Sequence, residues 1–390
     1  MPSAISQSLA QQIKECLREG LLGTIALIRS LVEAESPSGD EAGSRAVVDL
    51  IARAAGELRC VSSVERVSVP GFGEHIVIKA FAQQQGAGSV LLVGHTDSVH
   101  PRGSLAERPW RDDGERFYGP GVFDMKANCA LAIEALRVCE QIQIVPSKQV
   151  IIALTCDEEV GSASGWPLLE KLVANEDVRF ALVLEPSAGG RVKTGRKGTG
   201  MFTMEVTGRA AHAGLEPEKG ASAILELAKQ IERLHALNNA GNGITVNVGV
   251  VRGGTRANVV AADASAEIDV RFATEQESRA VSESLLHSVP FDSRVEVNVS
   301  GGINRPPLER TPQVAELYEL ARSIARSLDF ELGETSVGGA SDGNFLASIG
   351  IPVLDGLGVD GDGAHATHEH IIANAIPNRG ALLTGLIASL

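Results

Sequence analysis

Five side chains able to hold a metal ion are spread along the 390 residues: His95, Asp124, Glu159, Glu185 and His365. Three of them fall just beyond a short apolar run. Ser89–Val93 (SVLLV) leads into Gly94-His95-Thr96-Asp97, Val150–Leu154 (VIIAL) into Asp157-Glu158-Glu159, and Phe180–Leu184 (FALVL) into Glu185-Pro186. Imidazole and carboxylate donors without paired thiolates suit zinc, with cobalt or manganese as substitutes. The chemistry such a donor set serves is hydrolysis, because a bound cation makes a nucleophile of water near neutral pH.

The neighbours of these residues sharpen that expectation. His95 and Asp97 lie two apart in an extended segment, so both face one way and the carboxylate can buttress the imidazole or share its metal. Cys156-Asp157-Glu158-Glu159 places three carboxylates in a row, which would repel one another if buried without a cation. In an extended run Glu158 and Glu159 point to opposite sides, so one can bind metal while the other transfers protons. Asp124 ends the turn-rich stretch Gly119-Pro120-Gly121-Val122-Phe123-Asp124, ahead of a helix running to about Cys139, and is equally placed to cap it. His365 shares Gly361–His370 with His368 and His370, and spacing alone leaves the ligand open among the three.

To bring these residues together, the apolar runs must be strands buried on both faces of a parallel sheet. Open α/β sheets bind ligands outside the carboxyl ends of their strands, so the three polar ends should share one crevice. Leu21, Ile25, Ile28 and Val32 recur at helical spacing before Ser36-Pro37-Ser38-Gly39, and a second amphipathic stretch runs from Glu41 to about Leu58. From Gly200 the texture changes to strand (Met201–Val206), helix (Ala221–Leu237), two strands (Thr245–Val251 and Ala264–Phe272), helix (Glu275–Ser288) and strand (Arg294–Val299). That βαββαβ order is the ferredoxin-like unit. The expected fold is α/β: a mostly parallel-sheet domain built from 1–198 and 307–390, with a ferredoxin-like domain inserted at 199–306. Pro312 should open a helix in the returning segment.

Composition excludes several function classes. A formal net charge of −14 opposes binding to nucleic acid and to anionic lipid. Five scattered cysteines without CxxC spacing read as buried thiols in a reducing compartment. No apolar run approaches the ~20 residues of a spanning helix, so a cytoplasmic protein is expected.

Taken in order, GHTDSVH, GPGVFDMK, DEEVG, LEP, GRAAHAG and GAHATHE resemble the dizinc metallopeptidase superfamily of aminoacylases, acetylornithine deacetylases and succinyl-diaminopimelate desuccinylases, and within it the bacterial glutamate carboxypeptidase branch. The resemblance spans nearly the whole chain. It implies two Zn2+ per chain, one held by His95 and Glu185, the other by Glu159 and His365, with Asp124 bridging. His365 is preferred because the superfamily's histidine precedes a glutamate by four, as His365 precedes Glu369. By the same resemblance Glu158 is the general base, Asp97 supports the site from behind a ligand, and His212 stabilises the tetrahedral intermediate. Asn258 and Arg271 match positions that hold the substrate's terminal carboxylate, and the inserted domain implies a homodimer. The implied activity is cleavage of the amide bond to a C-terminal amino acid, glutamate or similar, with N-acyl-amino-acid deacylase or dipeptidase activity as the alternative.

Two departures stand out: Ala127-Asn128 replaces the two glycines often found after the lysine of the Asp124 motif, and the register of Arg191, Lys193 and Arg196 is open. A rival chemistry lies in Gly339-Ala340-Ser341-Asp342-Gly343, which matches the GxSxG elbow of serine α/β-hydrolases. It leaves the acidic cluster unexplained, and little chain remains after it for the other catalytic residues. A non-catalytic binding protein is the third reading, but its usual sign, a substituted ligand or base, is absent.

Overall fold

The structure, a computed structural model, describes residues 5–83, 88–238 and 243–390. The chain divides into two compact units, one formed by residues up to Thr194 with Arg310–Ser336 and Ser341–Leu390, the other by Gly195–Glu309 with Val337–Ala340.

The larger unit is built on a six-stranded sheet. Strands β1 (Val61–Val69) and β2 (Gly73–Ala80) form an antiparallel hairpin at one edge, and β2 pairs antiparallel with β4 (Gln149–Thr155). From there the sheet is parallel, through β3 (Ser89–His95) and β5 (Val178–Val183) to the short strand Val353–Leu354. Every residue of β3 and β4 is buried, which explains why these runs are apolar throughout and do not alternate. Val90 and Leu92 face the main core, shared with the helices Gln7–Glu33, Ala127–Gln141 and Ala375–Ser389. The helices Gly165–Asn175 and Asp342–Ser348 cover the opposite side of the sheet. The register pairs His95 with Thr155 and Val93 with Val183, so the carboxyl ends of β3, β4 and β5 finish level. Pro312 opens the helix Pro312–Ser327 behind a Thr311 cap, as its sequence position predicts.

In the smaller unit four antiparallel strands lie in the order Thr245–Gly253, Asp263–Phe272, Gly198–Thr207, Glu296–Arg305. The helices Ala223–His235 and Glu275–Leu286 complete the βαββαβ pattern. Phe202, Met204, Val206, Ile268, Val270 and Phe272 line the buried face at alternate positions.

Candidate metal centre

The five potential ligands of the larger unit come together at the carboxyl ends of its central strands. His95 is the last residue of β3, and Glu185 follows β5 by two. Their side chains meet that of Asp124, with His95 Nε2 3.2 Å from Asp124 Oδ1 and 3.7 Å from Glu185 Oε1. On the other side of Asp124, His365 Nε2 is 3.1 Å from Glu159 Oε2 and 3.6 Å from Asp124 Oδ2. Among the described residues the ligand atoms thus form two groups, His95-Asp124-Glu185 and Asp124-Glu159-His365, each within 4.8 Å and sharing Asp124. Asp124 leaves helical geometry at φ −115° and ψ 93°, and Lys126, not Asp124, stands at the cap position of the following helix.

Asp97 works from behind. His95 Nδ1 lies 3.0 Å from the Asp97 carbonyl oxygen and 3.4 Å from its Oδ1. The same carboxylate accepts hydrogen bonds from the backbone N–H groups of Glu158 and Glu159, each at 3.2 Å, and from Ser38 Oγ at 2.7 Å. One buried carboxylate therefore lies against the His95 imidazole and anchors the segment carrying both glutamates.

That segment differs from the extended run expected of it, because Glu158–Val160 is a 3₁₀ turn. At three residues per turn adjacent side chains still diverge, so Glu158 and Glu159 face different directions. Asp157 ties this segment to the next helix: its carboxylate accepts from Ser164 N (2.7 Å), Ser164 Oγ (2.7 Å) and Gly165 N (3.1 Å) at the start of the helix Gly165–Asn175. The third acidic residue is thus a structural anchor.

The groups at the centre strongly shift one another's ionisation. Burial, reinforced by Asp124 and Asp97, pushes the Glu159 carboxyl up to about 7. The hydrogen bond to Asp124 raises His365 to about 9 against the opposing effect of burial. Burial alone would raise Asp124, yet His365 and His95 hold it well below the usual carboxylate range. Burial opposes protonation of His95, but Asp124 and Asp97 outweigh it and raise its pKa. The donor set fits two divalent cations: each group joins one imidazole to two carboxylates, Asp124 offers one oxygen to each, and Glu159 Oε1 is buried without a hydrogen-bond partner.

The serine rival meets a different environment. Ser341 is fully buried, its hydroxyl donates to Asp355 at 2.7 Å, and it caps the helix Asp342–Ser348. That accounts for the GxSxG match as a helix start and leaves no exposed nucleophile.

In the smaller unit, His212 is exposed and its Nδ1 accepts the backbone N–H groups of Gly214 and Leu215, each at 3.2 Å. An accepting Nδ1 puts the proton on Nε2 of the neutral ring, which makes that edge a donor. Asn258 is exposed, and its carbonyl accepts from Ala213 N at 3.1 Å. Arg271 is gripped by Asp269 through Nε (2.9 Å) and Nη2 (3.0 Å). Of the basic residues left open by sequence, Arg191 donates to the Ala188 carbonyl, Lys193 is buried in the larger unit, and Arg196 donates to the Gly339 and Ala340 carbonyls in the smaller one.

The model of peptidase family M20/M25/M40 matches residues 91–389. The chain belongs to the peptidase family M20/M25/M40. This M20 chain is a hydrolytic enzyme. It is 26% identical to carboxypeptidase G2 of Pseudomonas sp. (strain RS-16), an alignment covering 100% of this chain and 94% of that one. It is also 27% identical to the succinyl-diaminopimelate desuccinylase of Delftia acidovorans, over 90% of this chain and 93% of that one. The structure resembles that of Bacillus subtilis YXEP, described as a dinuclear metal-binding peptidase of the M20 family, with a TM-score of 0.70, 15% identity, and coverage of 95% and 98% of the two chains.

Proposed function

We propose that this M20 enzyme uses a pair of divalent cations, zinc or substitutes such as cobalt and manganese, to cleave the amide bond to a C-terminal amino acid, glutamate or a similar residue. The observation that carries the reading is the shared Asp124, with His95 at one oxygen and His365 at the other, in groups completed by Glu185 and Glu159. Two cations held there supply Lewis-acid polarisation and ease the ionisation of water. Glu158 takes the proton of the attacking water and returns it to the departing amine. His212 offers its Nε2–H to the oxyanion of the tetrahedral intermediate, a role its accepting Nδ1 supports. Asn258 and Arg271 receive the substrate's free α-carboxylate, with Asp269 holding the guanidinium by Nε and Nη2.

The working unit in this reading is a homodimer formed through the smaller unit, in the cytoplasm, where its five unpaired cysteines stay reduced. Among the described residues no helix is long and apolar enough to cross a membrane. Kinetics on matched substrates test the reading: amidating the α-carboxylate should cost about 2–5 kcal/mol in kcat/KM, as when one member of a buried charge pair is removed. Equal kcat/KM for the free and amidated forms excludes the carboxylate clamp. Deacylation of N-acyl amino acids is the second reading, favoured by the desuccinylase relative. Varying the acyl part at a fixed amino acid separates the two.

A further inference from the structure

Glu369 belongs to neither ligand group, yet it is 3% exposed and completely engaged. Its Oε1 accepts from Phe123 N at 2.9 Å and Asp124 N at 3.0 Å, and its Oε2 accepts from Gly121 N at 2.8 Å. His100 Nε2 lies 2.5 Å from the same Oε2. Three backbone N–H groups within four residues converge on one carboxylate because Gly121 is left-handed, at φ 70°, where the chain enters the turn bearing Asp124. Converging amides of this kind form a concave anion site, which a carboxylate fills and an amide cannot fully satisfy.

Asn128 makes a second tie between the same two segments. It is fully buried, its Oδ1 accepts from Val359 N at 2.8 Å, and its Nδ2 donates to the Phe123 carbonyl at 3.4 Å. Gly358 lies so close that a Cβ there would overlap the Asn128 amide, so the asparagine and glycine fit as a pair. The asparagine that departs from the superfamily pattern therefore joins the Asp124 loop to the segment leading to His365.

We propose that Glu369 is a positioning residue for the metal pair and that Asn128 completes the clamp, so that one buried device sets Asp124 for both ligand groups and holds the His365 segment in register with it. This rests on the two-cation reading above. Partners that orient metal ligands typically affect metal affinity by ~10–100-fold, although they touch no ion.

The test uses the purified full-length chain stripped of metal and titrated with Co2+, followed by calorimetry and by the visible absorption of the bound ion. Wild type should take up two ions. Glu369→Gln, which keeps the side chain's size but offers an N–H where Gly121 N needs an acceptor, should weaken both ions by ~10-fold or more and alter the Co2+ spectrum. Asn128→Ala should weaken Co2+ binding in the same direction. Wild-type affinity and spectrum for both ions in Glu369→Gln overturn the positioning role, whatever its thermal stability or activity. Should Glu369→Gln fail to fold, Asn128→Ala decides, and unchanged affinity there overturns the clamp. A wild-type chain that binds no Co2+ sinks the two-cation reading itself, an outcome distinct from either variant result.

Discussion

Glu158 and Glu159 are adjacent yet have separate proposed duties, and their replacement separates proton transfer from ligation. Glu158→Ala should lower kcat by ~10²–10⁴ while leaving metal content near wild type. Glu159→Ala should instead reduce the metal bound, since it removes one member of the group completed by Asp124 and His365. Ordinary kcat in the first variant, or full metal content in the second, contradicts the division. At this scale His95, Glu159 and Glu185 stand out in the sequence by type and position, and Asp124 and His365 through the family resemblance; the structure brings the five side chains together. The sequence did not reveal Glu369 as an anchor, because its partners Gly121, Phe123 and Asp124 lie about 250 residues away and use backbone N–H groups that carry no side-chain signature. Nor could it choose between Arg271 with Asp269 and Arg271 with a ligand, since both satisfy the same fork.

Among the elements, the three central strands were legible because burial on both faces demands continuous apolar runs, and Gln149–Thr155 extends the run VIIAL by only one residue at each end. The turn after it was not, because the expected extended run gives way to a fold around the Asp97 and Asp157 carboxylates. Asp157→Ala should therefore destabilise the chain by about 1–3 kcal/mol in urea unfolding, leaving the amides of Ser164 and Gly165 without their acceptor. Unchanged stability would show that solvent replaces it. Glu134, on the helix Ala127–Gln141, gives a pH prediction. Burial raises its carboxyl pKa, so the unfolded chain ionises first and folding stability falls as pH rises from the ordinary carboxylate value to the raised one. Glu134→Gln should flatten stability over that window, and an unaltered slope would assign it to other groups.

For the whole molecule, the βαββαβ order of the smaller unit and the α/β character of the larger were readable from periodicity, whereas quaternary structure leaves no comparable pattern in one chain. The proposed homodimer, with His212 serving the partner's site, is tested by mixing His212→Ala with Glu158→Ala. Each homodimer should be nearly inactive, a lost oxyanion donor alone costing ~10²–10³ in kcat. Random exchange makes half the dimers mixed, each with one complete site, so activity should return to about a quarter of wild type under two-fold symmetry. No recovery after demonstrated exchange places His212 in its own chain's service. The central claim, hydrolysis by a cation pair shared through Asp124, is tested most directly by elemental analysis of the active protein beside its activity before and after chelation. The account predicts about two transition-metal ions per chain, loss of activity on their removal, and its return with zinc or cobalt. Full activity in protein free of transition metal would contradict it.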